Sequence, residues 1–197
     1  MSRTSDDRYD LPTIVLHWLI AVLILGLLLL GFVMTRPSID PGLQFSLYQW
    51  HKSFGMLALL LAVVRLVHSV LRVRMLPVSG LSRLEHIAAR ATHRVLLVLT
   101  VAVPLAGWLI ASVSPLEIPT FAFNVVVIPH LPVPKSDVAE AWWTTAHAVL
   151  AYSVLVLVFL HSVAAIDHQY RRRDRVLSRM FPAPRHPSET SIREWDT

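Results

Sequence analysis

The chain contains no cysteine. Disulfides, cysteine-held iron–sulfur clusters, thiolate zinc sites and the C-x-x-C-H attachment of c-type haem are therefore all excluded. Charge is scarce as well, at 16% of residues, where soluble domains run to about a quarter. With 54% hydrophobic residues and a mean hydropathy of +0.55, a soluble globular domain is disfavoured and disorder is excluded. The net charge of +5 would suit nucleic acid, but the basic residues lie beside apolar runs, which points to a membrane surface instead. What the chain does have is 10 histidines and 6 tryptophans.

Four segments approach the roughly 20 apolar residues that a spanning helix needs. They are Ile14 to Val33, holding His17; Phe54 to Leu71, holding Arg65 and His68; Val95 to Val113, with no charge; and Ala146 to Ile166, holding His147 and His161. A cleaved signal peptide fits the first poorly, because Asp6, Asp7 and Asp10 mix with Arg3 and Arg8 in its flank. Arg36-Pro37 through Pro41-Gly42 closes the first helix, and Pro77 to Gly80 separates the second from the third. Five prolines between Pro115 and Pro134 make that stretch a loop, and Pro104 kinks the third helix. The expectation is an all-α integral membrane four-helix bundle forming one domain over 1–197. Its helices run over about 12–34, 46–73, 82–113 and 137–169, with a flexible tail at 180–197.

Basic residues set the orientation. One face holds Arg36, Lys52 and Lys135, whereas the other collects 14 of the 18 Lys and Arg residues, from Arg3 and Arg8 through Arg72, Arg74 and the Arg171–Arg173 run. The positive-inside rule puts both termini in the cytoplasm. Tryptophans 18, 50, 108, 142 and 143 fall near helix ends, as an aromatic belt requires.

Four histidines then form a pattern. His147 and His161 lie 14 residues apart on one helix, hence about 21 Å apart in depth and within about 40° of one face. His51 opens the second helix at the outer level of His147, and His17 lies near the cytoplasmic level of His161. Each depth supplies two imidazoles, whereas a bare tetrahedral metal wants three or four ligands. A haem asks for two axial residues, and filling both favours electron transfer over oxygen activation. Two stacked bis-histidine haem sites follow, with Gly26, Gly55 and Ala148 making room for the macrocycles. His68, His86, His93 and His130 lack partners at matched depth and read as loop, interfacial or packing residues. Arg65, 14 residues beyond His51, is costly inside a membrane unless paired, and a haem propionate is its natural partner.

The chain resembles the bacterial di-haem cytochrome b561 family, and within it the small superoxide oxidase type. The resemblance is carried by LHWL at 16–19, WHKSFG at 50–55, Arg65, HRVLLVLTVAVPLAG at 93–107, the His147–His161 spacing, His168 and RMFP at 179–182. It implies two haems b, one ligated by His17 and His161 and the other by His51 and His147. It also implies an inner-membrane protein that oxidises superoxide at the periplasmic face and reduces ubiquinone near the cytoplasmic haem. Lys52, with Arg36 and Lys135, would steer the anion. His168 matches a family position near the quinone, with Arg72 and Arg74 able to stabilise charge there. The family's lysine-rich second loop is arginine-bearing and shorter here.

The rival is a cytochrome b subunit passing electrons between a docked dehydrogenase or hydrogenase and quinone; a non-redox histidine-bearing transporter is the third reading. Membrane lipid, ubiquinone, superoxide and a redox partner protein are thus the expected partners, and nucleic acid is not. The paired histidines predict a haem-to-protein ratio near two by pyridine haemochrome assay; a ratio near one contradicts the pattern.

Overall fold

In the computed structural model, residues 9–71, 82–174 and 177–181 are described. Four long helices dominate: α1 (Leu11–Met34), α2 (Pro41–Leu71), α3 (Arg83–Val113) and α4 (Asp137–Tyr170). All four are long and apolar enough to cross a membrane. No more than 17% of any spanning window is buried, so most of their apolar surface faces outward, as lipid requires. The helices pack in chain order, α1 on α2, α2 on α3 and α3 on α4.

Local chemistry sets the helix ends. Asp40 caps α2, its Oδ1 accepting from Gly42 N–H at 2.9 Å and Leu43 N–H at 3.1 Å. Pro41 takes the first helical position, where its missing N–H costs nothing. The Pro41-Gly42 pair therefore opens α2 five residues before the expected start at 46. Ser82 and Glu85 form a reciprocal capping box at α3, and Ser136 caps α4 by accepting from Ala139 N–H. Pro104 stays inside α3. The expected end of the second helix at 73, the breaker at 77–80 and most of the tail at 180–197 lie outside the described residues.

The proline-rich connection is more ordered than a plain loop, and it adds one short hairpin to an otherwise all-helical fold. Thr120–Ala122 (β1) and Val126–Ile128 (β2) pair antiparallel, with Thr120 opposite Ile128. Phe123 and Asn124 turn the hairpin at φ 52° and 57°. The left-handed region is unfavourable for Phe, but here its ring meets Phe54 at 5.3 Å and Trp50 at 6.1 Å. Ser53 on α2, 2% exposed, anchors the hairpin. Its Oγ accepts from Phe123 N–H at 3.0 Å and lies 3.0 Å from Phe121 O and 2.8 Å from Gln49 O. Gln49 adds a bond in each direction, to Pro119 O and from Phe121 N–H.

At the opposite end, a 3₁₀ turn over Leu177–Met180 folds back onto α1. Trp18 Nε1–H donates to Met180 O at 2.8 Å, and its ring meets Phe181 at 5.4 Å. Replacing Ser53 by alanine leaves Phe123 N–H without its acceptor, a cost of about 1–3 kcal/mol. The expected result is faster proteolysis within 115–134 and a lower melting temperature; an unchanged cleavage pattern shows that the hairpin docks without Ser53.

Candidate functional site

The helices bring the four expected histidines together in two pairs. His51 of α2 and His147 of α4 have ring centres 6.1 Å apart with planes at 77°. His17 of α1 and His161 of α4 have centres 6.3 Å apart with planes at 75°. Two metal–imidazole bonds of about 2 Å each, extended to the ring centres, put trans axial rings roughly 6 Å apart. Both pairs fit that spacing. Among the described residues no three His, Asp or Glu side chains converge as a bare-metal cluster. The donor set suits a cofactor that brings its own equatorial nitrogens.

The first pair is set up for coordination. His147 Nδ1–H donates to Val103 O at 2.9 Å, which fixes the tautomer and leaves Nε2 as the free lone pair. Gly107, one turn beyond Val103, makes this possible. A Cβ there would sit 3.3 Å from His147 Cε1 and 3.5 Å from Nδ1. Gly31 of α1 plays the same part under His51, where a Cβ would come within 3.3 Å of Cε1. His51 Nδ1 is buried without a hydrogen-bond partner among the described residues. Gly26 and Gly55, expected to make room, have nothing within 4 Å of an added Cβ. Gly31 and Gly107 are the glycines that touch the histidine rings, which helical spacing alone could not single out because it does not say which neighbour faces them.

The second pair is more crowded. His93 of α3 has its ring centre 5.2 Å from that of His161, so it lies beside this pair rather than at an unrelated level. That corrects its reading as partnerless. Its separation is too short for a metal held between trans nitrogens, so His17 remains the better-spaced partner. Arg65 Nη2 lies 3.2 Å from His17 Nδ1. A guanidinium only donates, so in this pairing Nδ1 is the acceptor. Coordination through Nε2 needs the other tautomer, and Arg65 must then turn to a different acceptor, as a carboxylate would provide.

The remaining site residues are tethered. Lys52, half-buried, donates to Pro119 O at 3.2 Å and so pins the loop that leads into the hairpin. Lys135 donates to Ser112 O at 2.9 Å, and Arg36 stacks 3.7 Å over the Phe32 ring; both side chains stay exposed. His168 meets Asp174. Arg172 bridges Glu85 of α3 and Asp167 of α4, and the hydrogen bond to Glu85 raises its guanidinium above the usual range. Arg72 and Arg74 lie outside the described residues. A cleft of about 260 Å³ between α2 and the hairpin is lined by Phe45, Gln49, Trp50 and Phe123 among others. It falls below the roughly 300–1,000 Å³ of cofactor sites, and none of the four histidines lines it.

The glycine contacts predict that Gly107→Ala displaces the His147 ring by a few tenths of an ångström and weakens its bond to Val103. The expected readout is an altered visible spectrum and midpoint potential for one haem, the other unchanged. Identical redox titrations of variant and parent show that the ring tolerates the extra methyl.

The chain matches the family described as prokaryotic cytochrome b561 over residues 8–183. It is 31% identical over 179 residues to "Cytochrome b561 homolog 2" of Escherichia coli K12, covering 90% of this chain and 93% of that one. It is also 28% identical over 186 residues to "Cytochrome b562" of Cereibacter sphaeroides, covering 90% and 98% respectively. Two histidine pairs spaced for axial ligation, four spanning helices and a match over nearly the full length agree: the chain belongs to the prokaryotic cytochrome b561 family, multi-pass inner-membrane proteins that carry haem b and transfer electrons.

Proposed function

We propose that this protein takes electrons from superoxide at the periplasmic face and delivers them to ubiquinone at the cytoplasmic face, through two haems b. The observation that carries the reading is the pair of imidazole couples, each spaced for axial ligation and joined by α4 across 14 residues. His51 with His147 would hold one haem, and His17 with His161 the other. When bound, each supplies a one-electron couple with no open coordination position. The basic residues around Arg83–Arg94 and Arg171–Arg179 support placing the His17–His161 end, and both termini, in the cytoplasm.

On that orientation, Arg36 and Lys135 are exposed cations at the periplasmic end, and Lys52 adds a charge held in place by Pro119 O. Their field draws in a small anion that cannot enter hydrocarbon. At the other end, Arg65 would bind a propionate, and His168 would serve quinone with protons. The match to two cytochromes along nearly their whole length supports membrane electron transfer, which this reading shares with a subunit fed by a docked dehydrogenase.

Stopped-flow mixing of oxidised protein with superoxide, then with a short-chain ubiquinone, tests the proposal. Fast reduction is expected, slowing as salt rises because surface charges are screened within about 8–10 Å. Lys52→Gln and Lys135→Gln should each lower the rate and flatten its salt dependence. Absence of any reduction by superoxide refutes the donor and leaves the partner-fed reading. In parallel, His147→Ala should lose the periplasmic haem and keep the cytoplasmic one, and His161→Ala the reverse. Loss of both haems in each variant argues against independent pairs.

A further inference from the structure

The C-terminal end of α4 holds a sheltered acid–base pair that electron carriage alone does not use. His168 Nδ1 and Asp174 Oδ2 are 2.6 Å apart, and their side chains are only 17% and 18% exposed. Helical spacing does not produce this contact, because α4 ends at Tyr170. Arg173 adopts the left-handed region at φ 58°, which is unfavourable for a residue with a Cβ. That turn sends the chain back on itself, so that Asp174 N–H reaches His168 O at 3.2 Å and the carboxylate meets the ring. The second carboxylate oxygen, Oδ1, is buried with no hydrogen-bond partner among the described residues. Arg171 and Arg172 bond Asp167, Arg172 also bonds Glu85 of α3, and Arg179 lies on the 3₁₀ turn packed against α4.

We propose that Asp174 is a positioning residue that aims His168 for proton delivery to a quinone at this end of the bundle, an inference that rests on the quinone reading above. The carboxylate accepts from Nδ1–H, which confines the exchanging proton to Nε2. The ring carrying both protons is a cation, and Asp174 is its counter-charge. Conversion of a quinone to its quinol takes two electrons, supplied one at a time through the haems, and two protons. One proton passes from His168 Nε2 to a quinone carbonyl oxygen and forms its O–H bond. The ring recovers that proton from water at the membrane face, and the second proton comes from water as well. The strained turn at Arg173 is the structural cost of bringing the carboxylate back to the ring.

The test uses the reduced holoprotein mixed with a short-chain ubiquinone, with re-oxidation followed across quinone concentrations at pH 7. Asp174→Asn is expected to keep the haem spectrum and lower the limiting rate at least about tenfold. The half-saturating quinone concentration should stay within about twofold, since only the proton step is touched. Asp174→Glu should recover most of the rate, and Asp174→Asn should add nothing on a His168→Ala background. If Asp174→Asn re-oxidises at the parent rate while His168→Ala is slow, the positioning role is overturned and the quinone reading stands. If His168→Ala is also as fast as the parent, the quinone reading at this end falls with it. Should Asp174→Asn lose its haems, nitrogen-15 spectroscopy of His168 in the unaltered protein decides. A protonated Nδ1 supports the proposal, and a bare Nδ1 overturns it.

Discussion

A neutral imidazole carries one donor and one acceptor nitrogen, and inside hydrocarbon neither can turn to water. Four such rings stand on the membrane-spanning helices as two facing couples, and the packing around them follows from that need. His147 meets it by donating to the backbone of α3 and keeping Nε2 free. Gly31 and Gly107 serve this arrangement, because each lets a ring lie against a neighbouring helix at a distance where a Cβ would press on it and force a shift of a few tenths of an ångström. The ring separations of 6.1 and 6.3 Å result from helix packing of this kind, and they suit a metal held between trans ligands.

The two ends of the bundle are not equivalent. At the His51–His147 end no charged side chain bonds either ring among the described residues, and the tautomer of His147 is set. The His17–His161 end gathers a cation and a third imidazole, Arg65 and His93, around the same rings. A guanidinium pressed on His17 favours the tautomer opposite to the one Nε2 ligation needs. An anionic partner for Arg65 would relieve that conflict, and haem carries two carboxylates. The asymmetry gives the two histidine pairs different electrostatic surroundings.

Both ends are closed by segments that look unstructured in sequence. The hairpin over 120–128 covers the start of α2 through Ser53, Gln49 and Lys52, so a lysine that looked like a free steering charge also acts as a tether. The 3₁₀ turn over Leu177–Met180 accepts a hydrogen bond from Trp18, so that tryptophan anchors the turn to α1. In each case a polar side chain on a helix satisfies loop carbonyls that would otherwise face a low-dielectric boundary.

The four spans, and the histidines opposed at each depth, were legible from the sequence because apolar run length and helical rise are local properties. The His147–His161 spacing alone placed two rings on one face of α4. The start of α2 was misjudged by five residues, because Pro41 and Gly42 break a helix from within but open one when Asp40 caps it. The contacts of Gly31, Gly107, His93 and Asp174 were not legible. Each depends on which side chain of another segment faces it, and rise and periodicity along one helix carry no information about the rotation of its neighbours. Only the tertiary structure decided those contacts: packing sets the rotation of each helix about its axis, and the left-handed turn at Arg173 brings Asp174 to His168.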